Sequence, residues 1–404
     1  MQTFGNGLDR AGERRAGAIV AIPAHNEAQT IQACLTALAV QRTCHGDPLP
    51  EGTFEVVVLA NNCSDETATI AGALASHLPF RLVVEDLRLP KNLSHAGGAR
   101  RAAMDLAAER LRSHRRPDGL ILTTDADSRV SATWLDANLR AIAAGVDAVA
   151  GYVDPDAAEY VGLGPAFVRR GRLEDTYLTA LAEIDAMFDP RPHDPWPNHR
   201  AASGASLAVT LEAYRTIGGI PDIPLGEDAA LVRELERAGC RVRHSLDAVV
   251  TTSCRFDGRA IGGAADTMRL RHADPDAPCS DDLEPIMRAV RRSFWKGRLR
   301  LLHDRSALLP IEAWAAPMQI EPDFAARLAS HYPNVPFAHL WEAAIGGSRT
   351  FAVPQPLRPS QLPDEISRAH RLLNRLRCRA RSEQPIVDRA DTPAFASLAE
   401  PAMA

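Results

Sequence analysis

Leu120–Ser128 reads LILTTDADS, an apolar run of strand length that stops at two carboxylates, Asp125 and Asp127, one small residue apart. A strand turns alternate side chains to one face, so both acids are expected to project together from the end of a strand over Leu120–Thr124. Two such oxygen donors suit a hard divalent cation, Mg2+ or Mn2+, which completes its shell with phosphate oxygens. Acid pairs after strands also serve as turn residues and helix caps. The pair takes its meaning from its surroundings.

Upstream, the chain alternates strand and helix. Ala18–Ile22 is a short apolar run, followed by PAHNE and a helical pattern through Ile31, Leu35 and Leu38. Phe54–Ala60, FEVVVLA, is continuous and β-branched, as a strand buried on both faces should be. NNCSDET and a helix carrying Ile70, Leu74 and Leu78 follow, then a strand at Arg81–Glu85 and a helix at Ala96–Arg112 opened by Gly97 and Gly98. Such units predict a parallel sheet with right-handed crossovers, and ligands in such sheets sit beyond the carboxyl ends of the strands. Those ends carry His25–Asn26–Glu27, Asn61–Asn62 and Asp125–Asp127.

Downstream, Ser131 is read as the cap of a helix beginning near Trp134, before a strand at Asp147–Val153. Residues 160–200 read as helix and then a Pro-rich loop, DPRPHDPWPN. Ala205–Val209 reads as strand, Thr210 as a helix cap, Gly226–Ala238 as a helix opening on Glu227 and Asp228, and Arg241–His244 and Ala248–Thr252 as two strands. Beyond about 270 the pattern is helical and charged.

At 404 residues the chain has room for two to three structural units. With 46% hydrophobic and 24% charged residues it reads as an ordinary soluble globular protein. A net charge of −5, both signs interspersed, gives no reason to expect nucleic acid as a partner. Seven scattered cysteines form no CxxC pair, which points to reduced thiols and a cytoplasmic location. Residues 1–17, polar and Gly-rich, are expected to be a flexible tail and not a secretory leader, and Arg and Asp interrupt every apolar stretch of membrane-spanning length. The basic stretches Arg288–Arg300 and Arg368–Arg381 leave room for peripheral contact with a membrane surface or an anionic acceptor, solvated helical faces being the plainer reading.

IPAHNE, an Asn/Ser/Asp-rich turn, AGGARR, DAD and GED, in that order over Ala18–Leu270, resemble the glycosyltransferases of family 2 with the GT-A fold. The resemblance implies an α/β fold with a mostly parallel sheet flanked by helices and a C-terminal helical extension. It also implies a metal-dependent, inverting, hexosyltransferase-like enzyme (EC 2.4) that uses a nucleoside-diphosphate sugar. It places Pro23, Ala24, His25 and Glu27 on the nucleoside, with His25 against the base and Glu27 near the ribose. Asn26 is expected to cap the next helix as well. Asn61 stands where the family usually has an Asp that reads uracil; a neutral amide offers both acceptor and donor and leaves the base open. Asp65 reads as the next helix's cap. Gly97 and Arg100 at a helix N-terminus are expected to favour phosphate, with close helix–sheet packing the bland reading of the glycines.

Asp127, with Asp125, is the expected cation site beside Ala126, and Gly204 the strand start beneath the sugar. Asp228 is the expected general base, with Glu227 nearby to raise its basicity. Arg255 and Arg259, in RFDGRAIGG, are candidate diphosphate contacts, and His193, Trp196 and His199 lie where the fold often carries an acceptor flap. A third metal ligand from His193, His199 or His244 stays open. The expected organisation is a tail over 1–17, a transferase domain over 18–270 (nucleotide half 18–130, acceptor half 131–270), helices over 271–381 and a disordered tail over 382–404. The rivals are a sugar-nucleotide pyrophosphorylase, which wants a Gly-rich basic loop after the first strand that PAHNEA lacks, and a non-catalytic nucleotide-sugar binder.

Overall fold

The structure is a computed structural model and describes residues 16–258, 262–305, 311–331 and 335–382. Arg259, most of the first 17 residues and nearly all of 382–404 lie outside the described residues. Eight strands form one sheet: β1 Ala18–Ala24, β2 Phe54–Asn61, β3 Arg81–Leu87, β4 Leu120–Thr123, β5 Ser128–Val130, β6 Ala148–Pro155, β7 Leu207–Thr210 and β8 Val242–Thr252, in the order β3-β2-β1-β4-β7-β6-β8-β5. β3, β2, β1 and β4 run parallel, as do β6 and β8, while β7 pairs antiparallel with β4 and β6, and β5 with β8. The sheet is mostly parallel and flanked by helices, as the sequence leads one to expect.

Helices α1 Ile31–Ala39, α2 Thr67–Leu74 and α3 Ala96–Ser113 connect the first four strands. The buried stripe of α1 (Ile31, Cys34, Leu35, Leu38) packs with Ala18, Val20 and Ile22 on one face of β1. Ala103, Met104, Ala107 and Leu111 of α3 pack with Ile19 and Ala21 on the other. The period-2 strand and 3.6-period helices thus make three layers. After β3 the chain returns to lay β4 beside β1 on its unpaired side, so strand order reverses between β1 and β4. A crevice opens beyond the carboxyl ends at such a reversal. Pro23 lacks a donor N–H yet fits a central strand, because β4 pairs with β1 only as far as Ala21.

The rest of this unit comprises α4 Trp134–Ala143, α5 Ala157–Gly162, α7 Leu211–Thr216 and α8 Glu227–Arg237, with α6 Pro165–Phe188 and α9 Ala264–Ala273 leading out of it. Thr210 caps α7, accepting from the Ala213 N–H at 3.2 Å. Ser131 does not cap α4: its carbonyl takes the Trp134 N–H at 3.0 Å, and its hydroxyl is buried without a partner among the described residues. The two strands read over 241–252 are one strand, β8, whose register against β6 shifts between Gly151 and Tyr152.

The first compact unit draws on residues up to Leu163 and on Ala201–Leu270, the second on Gly164–Arg200 and residues from Arg271. Gly164–Arg200, which the sequence reading put in the acceptor half, therefore clusters with the C-terminal helices. Tyr177, Leu181, Ile184 and Phe188 of α6 share a core with Ile286 and Ala289 of α10 (Ile286–Asp304) and Leu362, Ala369, Leu373 and Leu376 of α14 (Leu362–Ser382). A Cβ at Gly297 would meet the Phe188 carbonyl oxygen at 1.8 Å, so glycine there sets how closely α10 approaches α6. Helices α11 Ile311–Ala315, α12 Pro322–His331 and α13 Phe337–Gly347 close over Leu299, Trp314, Met318 and Trp341. Among the described residues no helix is long and apolar enough to cross a membrane.

Candidate active site

β4 ends at Thr123, so Asp125 and Asp127 lie in a turn closed by the Ser128 N–H on the Asp125 carbonyl at 3.1 Å. The alternation of a strand no longer governs them, and each carboxylate meets a different arginine. Asp125 accepts from Arg100 Nη2 at 2.7 Å, and Asp127 Oδ2 lies 3.0 Å from Arg255 Nη2. Ala126 between them is buried.

Arg100, one turn into α3, organises the inner wall. Its Nε donates to Glu227 Oε1 at 2.9 Å, Nη1 to Thr123 Oγ1 at 3.1 Å and to the Gly204 carbonyl at 2.9 Å, and Nη2 to Asp125. Burial works against its charge, but Asp125 and Glu227 outweigh that and hold its pKa above the ordinary guanidinium value. The guanidinium expected to grip phosphate is thus already spent on protein acceptors. It braces both acidic motifs. A Cβ on Gly204 would meet Arg100 Cζ at 2.2 Å, so this glycine makes room for the fork. Gly97 and Gly98 also face protein: their Cβ atoms would meet the carbonyl oxygens of Ile223 at 2.0 Å and Leu93 at 2.3 Å. Close packing of the neighbouring turns accounts for both.

Replacing Arg100 by alanine leaves Glu227 buried without its counter-charge, and a loss of about 3–5 kcal/mol in urea unfolding is expected. Arg100→Lys keeps the charge but not the fork and should recover only part of it. Gly204→Ala should destabilise by the same route, since the arginine must withdraw.

Gly226 (φ +75°) starts α8 in the left-handed conformation. The next two acids separate. Glu227 turns inward to Arg100 and is buried; Asp228, half-buried, accepts the Gly204 N–H at 2.9 Å and the Ala229 N–H at 2.7 Å. Glu227 was expected to raise the basicity of Asp228 by its charge, yet that charge is matched by Arg100. Its geometry fits a positioning residue. Asp228 and Asp125 share the Arg100–Gly204 framework, and so belong to one wall.

Across from it, β1 and β2 present the other side. His25 Nδ1 lies 2.7 Å from the Asn61 carbonyl. Glu27, buried, accepts from Thr30 Oγ1 at 2.9 Å and from Arg255 Nη2 at 2.5 Å. Asn26 does not cap α1: in the left-handed conformation (φ 56°) its Oδ1 accepts the Ser64 N–H at 2.8 Å. Asp65 accepts from the Ala28 and Thr67 N–H groups at 3.1 Å, a turn-closing role. Asn62 exchanges bonds with Leu89, its Oδ1 taking the N–H at 2.9 Å. Asn61 is 2% exposed, and its Oδ1 has no hydrogen-bond partner among the described residues. A buried orphan acceptor costs about 1–3 kcal/mol until a donor reaches it.

The site is strongly acidic. Glu27, Asp125, Asp127, Glu227 and Asp228 face two guanidiniums, Arg100 and Arg255. Burial, then the charge of Asp125, push the Asp127 pKa up to about 6, with Arg255 pulling down and Glu27 up. An excess of carboxylates around a half-buried acid fits a divalent cation held by Asp127 and Asp125 that keeps waters or phosphate oxygens as its other ligands. No group of three His, Cys, Asp or Glu among the described residues is placed to hold a metal, so a third ligand from His193, His199 or His244 is not found. Were Asp127 to ligate a divalent cation its proton would have to leave, so Mn2+ affinity is expected to rise as the pH passes through about 6, readable by calorimetry in buffers of different ionisation enthalpy.

Thr123, which receives Arg100, and Thr30, which holds Glu27, carried no sequence signal beyond their place at element ends.

Residues 19–167 match the family model described as glycosyl transferase family 2. No curated protein matches the chain. Among solved structures the chain is similar to S. aureus TarS 1–349 in complex with UDP (16% identity, 81% of this chain and 87% of that one, TM-score 0.41). It is also similar to the same TarS fragment with UDP-GlcNAc (17%, 81% and 79%, 0.42). A third is the mannosyltransferase PcManGT from Pyrobaculum calidifontis in complex with GDP-Man and Mn2+ (19%, 82% and 86%, 0.41).

Proposed function

We propose that the chain, whose residues 19–167 match the glycosyl transferase family 2 model, is a transferase that moves a sugar, with inversion, from a nucleoside diphosphate to an acceptor hydroxyl or amine. One observation carries this reading: Asp125, Glu227 and the Gly204 turn before β7, whose N–H holds Asp228, are gathered on a single buried arginine at the β1/β4 switch point. That shared bracing supports a cation-binding turn and a half-buried carboxylate acting together, as in-line displacement needs.

Pro23–Glu27 and Asn61 would hold the nucleoside, the unpaired Asn61 oxygen being the acceptor that waits for a base N–H. Asp127 and Asp125 would hold Mg2+ or Mn2+, which when bound neutralises charge on the departing diphosphate. Asp228, kept in place by two backbone amides, would accept the acceptor's proton as the new bond forms. Glu227 and Arg100 would keep that carboxylate in position. The sequence after the first strand disfavours the pyrophosphorylase rival, because PAHNEA lacks the Gly-rich basic loop that such a site wants there.

A panel of UDP, GDP, CDP and ADP with Mn2+ should raise the unfolding temperature for one base above the others. The matching sugar nucleotide should then release nucleoside diphosphate. Release of pyrophosphate instead, or no stabilisation by any of the four, would overturn the proposal.

A further inference from the structure

Arg255 sits where its contacts make an unusual demand. One nitrogen, Nη2, reaches two carboxylates from different parts of the sheet edge: Glu27 Oε1 at 2.5 Å, after β1, and Asp127 Oδ2 at 3.0 Å, after β4. Glu27 is otherwise held by Thr30 and Asp127 by a 3.4 Å contact from Ser128 Oγ. The other acid of the turn, Asp125, is matched by Arg100. Among the described residues Arg255 is therefore the cation paired with Asp127. It comes from the loop after β8 and not from the rigid wall, and its side chain is 27% exposed, so it has somewhere to go.

We propose that Arg255 is a resident counter-ion, occupying Asp127 until a divalent cation arrives, so that cation and guanidinium compete for one carboxylate. This rests on the reading of Asp127 as the cation ligand. A guanidinium and a divalent ion cannot share a carboxylate oxygen without strong like-charge repulsion at contact distance. Metal entry must then release Arg255 from Asp127. The nearest anion of comparable charge is the diphosphate of the donor, and a planar fork is the group suited to receive phosphate oxygens. Cation and diphosphate thereby become mutually dependent. The free protein holds Mn2+ weakly, and donor binding removes the competitor.

The test is Mn2+ binding alone, without nucleotide, followed by the loss of free-ion electron paramagnetic resonance signal on the full chain, its fold checked by circular dichroism. Arg255→Gln removes the competing charge, and Mn2+ should bind about fivefold or more tightly than to the unsubstituted protein, a unit charge near 4 Å being worth at least that in water. Arg255→Lys, which keeps a charge but reaches one carboxylate at a time, should fall between them, and carries the test if the glutamine variant does not fold. Mn2+ affinity unchanged or weakened in the variants that fold would sink the counter-ion role. Asp127→Asn separates the two layers of argument: if Mn2+ binds the unsubstituted protein and this variant equally, the cation assignment itself is wrong, whatever Arg255 does.

Discussion

Asp228→Asn is expected to lower turnover by about 10^2–10^4-fold, the range of a general base, while leaving the affinity for nucleoside diphosphate within a factor of two or so. The substitution is nearly isosteric, and the asparagine oxygen can still accept the Gly204 N–H that now positions the carboxylate at 2.9 Å. Fold and cleft should therefore survive, and the loss should fall on kcat. Single-turnover measurement with the matched sugar nucleotide reads it directly. A variant that turns over normally would take Asp228 out of the chemistry and leave the two acids at the start of α8 as ordinary complements to the helix dipole.

Asp127→Asn should have opposite effects on activity and stability. On the proposed cation role, removing the carboxylate removes the anchor and, with it, several kcal/mol of charge stabilisation at the leaving group; a rate loss of about 10^3-fold or more is expected. Stability should move the other way. The folded-state pKa is pushed up to about 6, above the unfolded value, so in the folded chain the proton is held more tightly. Stability then falls as pH rises through the window from about 4 to 6, because the folded state resists the ionisation that the unfolded state accepts. In metal-free buffer the asparagine variant should accordingly melt higher than the unsubstituted protein at pH 7 and not at pH 4. Equal melting at both values would mean the carboxylate is not under the stress its surroundings imply.

The strand ends were legible because their causes are local. FEVVVLA reads as a strand buried on both faces from its β-branched run alone. β5 was missed because Ser128–Val130 is too short to show a period, and the long β8 was divided because its shifted register interrupts the alternation. The two acids of DAD were expected on a strand end, and a turn that begins one residue earlier than the apolar run suggested gives each its own arginine partner. Arg100 was read as free for ligand because a helix N-terminus with an arginine favours phosphate in isolation. Its partner Glu227 lies 127 residues away. That pairing is tertiary, and no local pattern announces it.

The clasp between Asn26 and Ser64 has a thermodynamic consequence of its own. It joins the exits of β1 and β2 before anything binds, so the wall facing the base has little conformational freedom left to lose. A nucleoside stripped of its phosphates should then dock as a rigid body meeting a rigid body, at small entropic penalty.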